Sequence, residues 1–325
     1  MFLNRPRTFL LAALGVSVVL GIFQSRIDPY FVDVLTRIGI NITLAVSLNL
    51  INGHTGQFSL GHAGFMAVGA YTAAAMTMFA GPHVLPASAP AVVTMLWFTL
   101  ALGAGGLVAA AAGVFVGAPS LRLKGDYLAI VTLGFGQIIA VVFRNIEPLG
   151  GALGLNGIPA YTNLFWAFAT AALTVYVITT MVNSTYGRGF LATHDDEVAA
   201  EAMGINTTRC KIVAFVIGAF FAGIAGGLLG HFTLTINPKG FDFNKSIEIV
   251  VMVIVGGMGR TGGVILAAVL LTLLPEGLRT LAGMSPALRW IGELRPLLYS
   301  FLLIVLMLAR PQGLFSFRRT GAVKV

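Results

Sequence analysis

Residues 212–236 read IVAFVIGAFFAGIAGGLLGHFTLTI and contain no aspartate, glutamate, lysine or arginine. The run is longer than the about 20 apolar residues that a helix needs to cross a bilayer. Small residues recur at every fourth position in Ala219, Gly223 and Gly227, a spacing that lets membrane helices approach closely. This stretch therefore predicts a membrane-spanning helix that packs tightly against a neighbour.

Similar apolar runs fill most of the chain on both sides of this stretch. They predict an all-α fold, a polytopic membrane helix bundle of about ten spans in a single transmembrane domain covering residues 1–325. The predicted spans are 8–23, 30–52, 62–80, 91–117, 126–143, 161–182, 212–236, 246–257, 262–282 and 295–309. The run 246–257 is short for a crossing and ends in the glycine-rich segment 256–263, which favours a discontinuous or re-entrant helix.

Composition supports a lipid environment. Of the 325 residues, 57% are hydrophobic and only 10% are charged, with a mean hydropathy of +0.90, whereas soluble domains carry about 25% charged residues. The formal net charge is +8, but the basic residues lie mostly at the ends of apolar runs, where they set orientation. This distribution argues against a nucleic-acid-binding protein.

The distribution of lysine and arginine predicts that both termini of this multi-pass protein lie in the cytoplasm. The N-terminal run resembles a signal peptide but is interpreted as an uncleaved first span. Glycine-rich breaks at 53–64 and 256–263 occur early in each half of the chain. Two halves of five spans each would form an inverted repeat.

The longest polar stretch between apolar runs, residues 183–211, is predicted to be a cytoplasmic loop. Thr193 and Asp196 have the spacing of a capping box, and Gly204 can end a helix in a left-handed cap. A helix is therefore expected over 194–203, with Val198 and Ala202 on one face. Its small-residue surface fits a groove on a partner protein, although a simple interfacial connector is also consistent with the composition.

Residues 53–65, GHTGQFSLGHAGF, combine glycines with hydrogen-bonding side chains at a helix junction. Such a segment lines a solute path or forms a gate, or it allows helices to pack closely. The candidate path residues are Gln57, Ser59, Gly61, His62 and Gly64.

Glu248 lies within the short apolar run 246–257. A carboxylate within a membrane indicates a functional site by default. The sequence favours a structural role near the outer interface instead, in which Glu248 pairs with Lys245 one helical turn earlier.

The chain lacks the residues that several functional classes require. The chain has no phosphate-binding Gly-x-x-x-x-Gly-Lys-Ser/Thr loop, so no ATP site is expected in it. No catalytic constellation and no metal-ligand spacing is present in the sequence. The protein is thus expected not to be an enzyme and to bind no metal. Few titratable groups lie in apolar runs, which argues against a proton-driven carrier.

Four stretches and the tail carry a resemblance to a known family. They are residues 53–65, residues 121–134 (LRLKGDYLAIVTLG), residues 197–206 (EVAAEAMGIN), residues 246–259 (SIEIVVMVIVGGMG) and residues 310–314 (RPQGL). In this order they resemble the LivM-type permeases of ATP-binding-cassette (ABC) branched-chain amino acid importers, in the hydrophobic amino acid uptake family. Gln137 stands where that family usually has an acidic residue, and Ala140 where it usually has a basic one.

The resemblance implies a permease that translocates branched-chain amino acids by alternating access. The implied partners are a second, related permease, two cytoplasmic ATPase subunits that hold ATP and magnesium, and an extracytoplasmic solute-binding protein. It also implies that 194–203 is the helix coupled to the ATPase. The implied coupling residues are Asp196, Glu197, Ala199, Ala200, Glu201, Ala202, Gly204 and Asn206, and the further path or gate residues are Gln137, Glu248, Gly256 and Gly257.

Other functions remain open at this point. A urea or short-chain amide permease of the same family has a similar sequence. A stand-alone secondary transporter or channel is an alternative of another class, and a membrane enzyme is a third.

Overall fold

The computed structural model describes residues 6–86, 90–120 and 126–284, together with residues 301, 304 and 305. It is an all-α polytopic membrane bundle, as predicted. The helices are α1 (Pro6–Phe23), α2 (Pro29–Asn49), α3 (His62–Ala75), α4 (Gly81–Val84), α5 (Ala91–Ser120), α6 (Asp126–Asn145), α7 (Leu164–Val182), α8 (Thr185–Asp195), α9 (Glu197–Ala202), α10 (Thr207–Thr233), α11 (Phe243–Gly256) and α12 (Thr261–Met284).

Within the described residues, 8 helices are long and apolar enough to cross a membrane. The predicted run 246–257 corresponds to α11, a helix of 14 residues that is too short to be one of them. Predicted span 295–309 and the 310–314 motif lie outside the described residues, as do residues 121–125 of the second motif. The count of about ten spans and the inverted repeat therefore stay predictions.

Helix α10 lies at the centre of the bundle, where it packs against α2, α3 and α5. Glycines make this contact possible, because a methyl group added at Gly69 would overlap the backbone of Gly223. A methyl group at Gly226 would likewise overlap the carbonyl of Met66. The tight packing predicted for this helix is confirmed.

Helix α2 continues into a π-helical turn, Leu50–His54, and residues 55–61 then run without regular structure to the start of α3. The first residue of α3 contacts the last turn of α2, since the Ser47 hydroxyl is 2.9 Å from His62 Nε2. The chain between these helices therefore turns back into the bundle.

The two ends of the bundle differ. At one end, strands β1 (Leu155–Asn156) and β2 (Thr235–Ile236) form a short antiparallel ribbon with Leu155 opposite Ile236; we call this the ribbon end. The other end carries α8 and α9 between α7 and α10, and we call it the α9 end. Helix α1 packs on the outside of α7.

The polar stretch 183–211 folds differently from the prediction. The expected single helix over 194–203 is wrong, because the structure breaks the chain at Asp196, between α8 and α9. Thr193 belongs to α8, where its hydroxyl donates to the carbonyl of Gly189 at 2.7 Å. It is therefore not the N-cap; the carboxylate of Asp196 takes that role.

Candidate functional site

Both ends of α9 are capped. The carboxylate of Asp196 accepts hydrogen bonds from the backbone N–H groups of Val198 and Ala199, at 2.9 and 3.0 Å. At the other end, Ile205 N–H donates to the Ala200 carbonyl, and Gly204, with a φ of +83°, donates to Glu201. These two backbone hydrogen bonds form a Schellman motif, so the left-handed cap predicted at Gly204 is confirmed.

Two acidic side chains fasten α9 to the start of α10. Glu197 Oε1 lies 2.6 Å from Lys211 Nζ, and Glu201 accepts a hydrogen bond of 2.6 Å from the Thr207 hydroxyl. Ala200 is buried between these contacts. Caps and anchors at both ends leave this short helix little freedom to move independently of α10.

The opposite side of α9 faces outward. Val198 is 70% exposed and Met203 is 82% exposed, and Ala199 and Ala202 are exposed as well. We call these residues the α9 surface. The surface is apolar and built mainly from small side chains, which is suited to a groove on another protein.

The α9 end also brings the two glycine-rich breaks together. The backbone N–H of Gly259 donates to Asn49 Oδ1 at 2.9 Å, and a methyl group at Gly53 would overlap Gly259. At Gly56, an added methyl group would lie 3.0 Å from the ring of His194 in α8. The glycine segment 53–61 is thus in contact with both α8 and the turn between α11 and α12.

Polar side chains of the glycine segment are buried. Asn52 Nδ2 donates to the Ser59 carbonyl, and its Oδ1 accepts from Ser59 N–H, at 3.4 and 3.2 Å. Within the described part of the chain, the amide group of Gln57 and the hydroxyl of Ser59 have no hydrogen-bond partner. Unpaired buried groups cost about 1–3 kcal/mol each, so these two side chains retain hydrogen-bonding capacity that the described residues do not use.

Gly61 and Gly64 lie against α6. A methyl group at Gly61 would overlap the carbonyl of Thr132, and one at Gly64 would lie 2.9 Å from Gly136. Gln137, the next residue on α6, is half-buried. The structure therefore places Gln137 one residue from this close contact, while the role of all these positions in a path or gate stays a prediction.

Glu248 pairs with Lys245, since Lys245 Nζ lies 3.0 Å from Glu248 Oε2 within α11. The ion pair expected from their spacing is therefore present. At the other end of α11, Gly256 packs so closely on α12 that a methyl group would overlap Val264. Gly257 then ends the helix with a φ of +90°.

Sequence reasoning missed several of these features. The sequence predicts a loop where α8 forms. Ser184, which precedes the helix, and the fully buried Phe190 on its apolar face are the local signals of α8. The contacts of Asn49 with Gly259 and of His194 with Gly56 join residues far apart in the chain. No local pattern signals them.

Taken together, these features define a multi-pass membrane protein with an anchored apolar helix at one end and a buried polar segment beside it. The family model described as "Branched-chain amino acid transport system / permease component" matches residues 30–310. The chain therefore belongs to this family of permease components.

Two similar proteins extend over most of the chain. The high-affinity branched-chain amino acid transport system permease protein LivM of Salmonella typhimurium is 34% identical over 350 residues, covering 97% of this chain and 76% of the relative. LivM of Escherichia coli K12 is 33% identical with the same coverage.

A permease of the same kind with a different name matches in part. LivH of Escherichia coli K12 is 32% identical over 148 residues, which is 46% of this chain and 44% of the relative. No solved structure matches the chain.

Proposed function

We propose that this chain is a permease subunit of an ABC importer that moves branched-chain amino acids across the bacterial inner membrane by alternating access. Separate ATPase subunits, which hold ATP and magnesium, drive the cycle. The observation that carries this proposal is the α9 surface, an apolar helix face that is exposed while its other face is fastened to α10.

The geometry supports α9 as the coupling helix. A force applied to the α9 surface reaches α10 through the pair of Glu197 and Lys211, which are 2.6 Å apart. Because α10 packs against α2, α3 and α5, a shift of α10 moves the centre of the bundle. His194 beside Gly56 offers a second route into the glycine segment.

The proposed assembly contains a second related permease, two ATPase subunits and an extracytoplasmic solute-binding protein. Its support is the similarity to proteins named LivM and LivH, each a permease of a branched-chain amino acid transport system. The N- and C-termini and the α9 end lie in the cytoplasm in this arrangement. The binding protein then docks at the ribbon end.

Cross-linking tests the α9 surface directly. In a Cys210→Ser background, Ala199→Cys should cross-link to an ATPase subunit in the purified complex. Ala200→Cys is the matched control, since this neighbouring alanine is only 4% exposed and should not cross-link. Equal labelling of both cysteines, or none at Ala199→Cys, would contradict the docking role.

Reconstitution tests the function as a whole. Proteoliposomes containing the complete complex and the binding protein should take up leucine when ATP is present in the vesicle lumen, on the side of the ATPase subunits. Liposomes with this chain alone should not, because no ATP-binding loop exists in it. Uptake by the lone chain would favour a stand-alone carrier, and uptake of urea or acetamide without leucine would favour an amide permease.

A further inference from the structure

A cavity of about 170 Å³ lies between α2, α11 and α12 in the half of the bundle nearer the ribbon end. Four charged side chains line it: Arg37, Lys245, Glu248 and Glu276. The two cations and two carboxylates balance formally, and so do their partners outside the lining, Asp33 beside Arg37 and Arg279 at 3.8 Å from Glu276. A solute of either single charge would upset this balance, whereas a zwitterion can face partners of both signs and leaves the net charge unchanged.

The charged groups are held in place by neighbours. Lys245 Nζ lies 3.0 Å from Glu248, and the Tyr30 hydroxyl donates to Glu276 at 2.8 Å. Arg37 is bound by Asp33 one turn earlier on α2, at 2.8 Å. These bonds fix charges from three separate helices around one space.

A break in the α12 hydrogen-bond ladder opens onto the same cavity. Pro275 lies inside α12 and has no backbone N–H, so the carbonyl of Leu271 loses its helical partner. Both residues line the cavity. Unwound carbonyls of interrupted helices coordinate cations in transporters, and the carbonyl freed here belongs to a residue of the cavity lining.

The remaining walls set the size and polarity of a ligand. Ile40, Met66 and Leu229 supply an apolar side. Asn41 donates to the Thr272 hydroxyl at 2.9 Å and closes the polar side between α2 and α12. The volume is well below the about 300–1,000 Å³ of pockets for drug-sized ligands, which restricts the cavity to a small solute.

We propose that this cavity binds an α-amino acid with an aliphatic side chain. Its carboxylate faces Arg37 and Lys245, its ammonium group faces the two glutamates and the Leu271 carbonyl, and its side chain lies against the apolar wall. The inference rests on the proposed function for its substrate class. It adds a membrane-domain binding site within this single chain.

Ligand chemistry provides the first test. The full-length chain in lipid nanodiscs should bind radiolabelled L-leucine saturably. Leucinamide lacks the carboxylate and 4-methylpentanoate lacks the ammonium group, so each should compete at least about tenfold more weakly, corresponding to one lost charge contact of about 1.4 kcal/mol. Absence of saturable leucine binding, or competition by either analogue as strong as that of unlabelled leucine, would overturn the proposal.

Two lysines provide a matched pair of variants. Lys245→Gln should weaken leucine binding about tenfold or more. Lys239→Gln changes an exposed lysine that does not line the cavity and should leave binding within about twofold of the wild type, a difference below 0.5 kcal/mol. Glu248→Gln supplies a second cavity variant, and equal binding by the Lys245, Glu248 and Lys239 variants would refute the site.

Uptake by the complete complex separates this inference from the proposed function. Leucine uptake that is unchanged in both cavity variants would leave the function standing and remove the site. A wild-type complex that transports no leucine would remove the function and the assigned ligand together.

Discussion

At the scale of single residues, Gly204 shows how backbone conformation positions the α9 surface. Its φ is +83°, and among the described residues no heavy atom beyond its chain neighbours lies within 4 Å of an added methyl group. The restriction is therefore one of backbone strain and not of space. A β-branched residue in this region is a conformational outlier, whereas asparagine visits it readily.

We expect Gly204→Val to lower ATP-dependent leucine uptake strongly and to destabilise the α9 cap by about 1–2 kcal/mol. Gly204→Asn at the same position should keep most of the uptake. Transport in proteoliposomes and melting temperature in detergent measure the two effects. Wild-type uptake by the valine variant would show that the cap has no part in coupling.

At the scale of elements, α9 depends on α10 through the pair of Glu197 and Lys211. Lys211 is 7% exposed, so a charge left without its partner there is costly. The penalty stays below the about 3–5 kcal/mol of a fully buried pair, because the Glu197 side chain is 24% exposed and water screens it.

Glu197→Lys should therefore detach α9 from α10 and uncouple transport while membrane insertion is retained. The exchanged pair, Glu197→Lys with Lys211→Glu, should restore part of the ATPase activity that is coupled to leucine transport. ATPase rates of the complex for both variants measure this. A doubly exchanged protein as inactive as the single variant would mean that the pair does more than hold the two helices together.

The packing of α10 against α3 and α5 is also an element-scale feature. A methyl group at Gly69 would overlap the backbone of Gly223, and one at Gly223 would lie 2.5 Å from Ala109 Cβ on α5. We expect Gly223→Ala to destabilise the protein by about 1–3 kcal/mol, as overpacking does. Gly103→Ala on α5 is the control, because no heavy atom in the part of the chain that the structure describes contacts the added methyl group within 4 Å. It should be neutral or stabilising by about 0.5–1 kcal/mol. Melting temperatures that fall equally in both variants would disprove this packing argument.

At the scale of the whole molecule, the α9 end joins three segments that are distant in sequence: the end of α2, α8 and the turn before α12. Asn49 is fully buried and bonds to Gly259 across this junction. The junction therefore links the glycine segment to α11 and α12, beside the helix proposed to receive force from the ATPase.

Asn49→Ala should lower the melting temperature by the equivalent of about 0.5–1.5 kcal/mol, because it removes the acceptor of the half-buried Gly259 N–H. Asn145→Ala is the matched control, since the side-chain hydrogen bond that Asn145 donates runs to Val141 within its own exposed helix turn. Its melting temperature should change little. A larger loss in the control than in Asn49→Ala would argue against a stabilising junction.

How far prediction reached depends on the distance in sequence over which each feature acts. The apolar length of α10, its small-residue series, the cap at Gly204 and the Lys245–Glu248 pair all involve neighbours within a few residues, and the structure contains each of them. The start of α9 was misplaced because Thr193 and Asp196 are both acceptable caps. Asp196 became the cap once α8, anchored by the buried Phe190, extended as far as Asp195.

The sequence by itself determined that this chain is an all-α membrane protein of a permease family. Lipid requires each long apolar run to satisfy its backbone hydrogen bonds as a helix, and the order of the family motifs can be read directly along the chain. Only the tertiary structure decided which distant residues come together, such as Arg37 and Glu276 in the lining of one cavity and Gly56 beside His194 at the α9 end. These residues come from helices far apart in the chain. Their proximity follows from how the helices pack, and no periodicity within one segment specifies it.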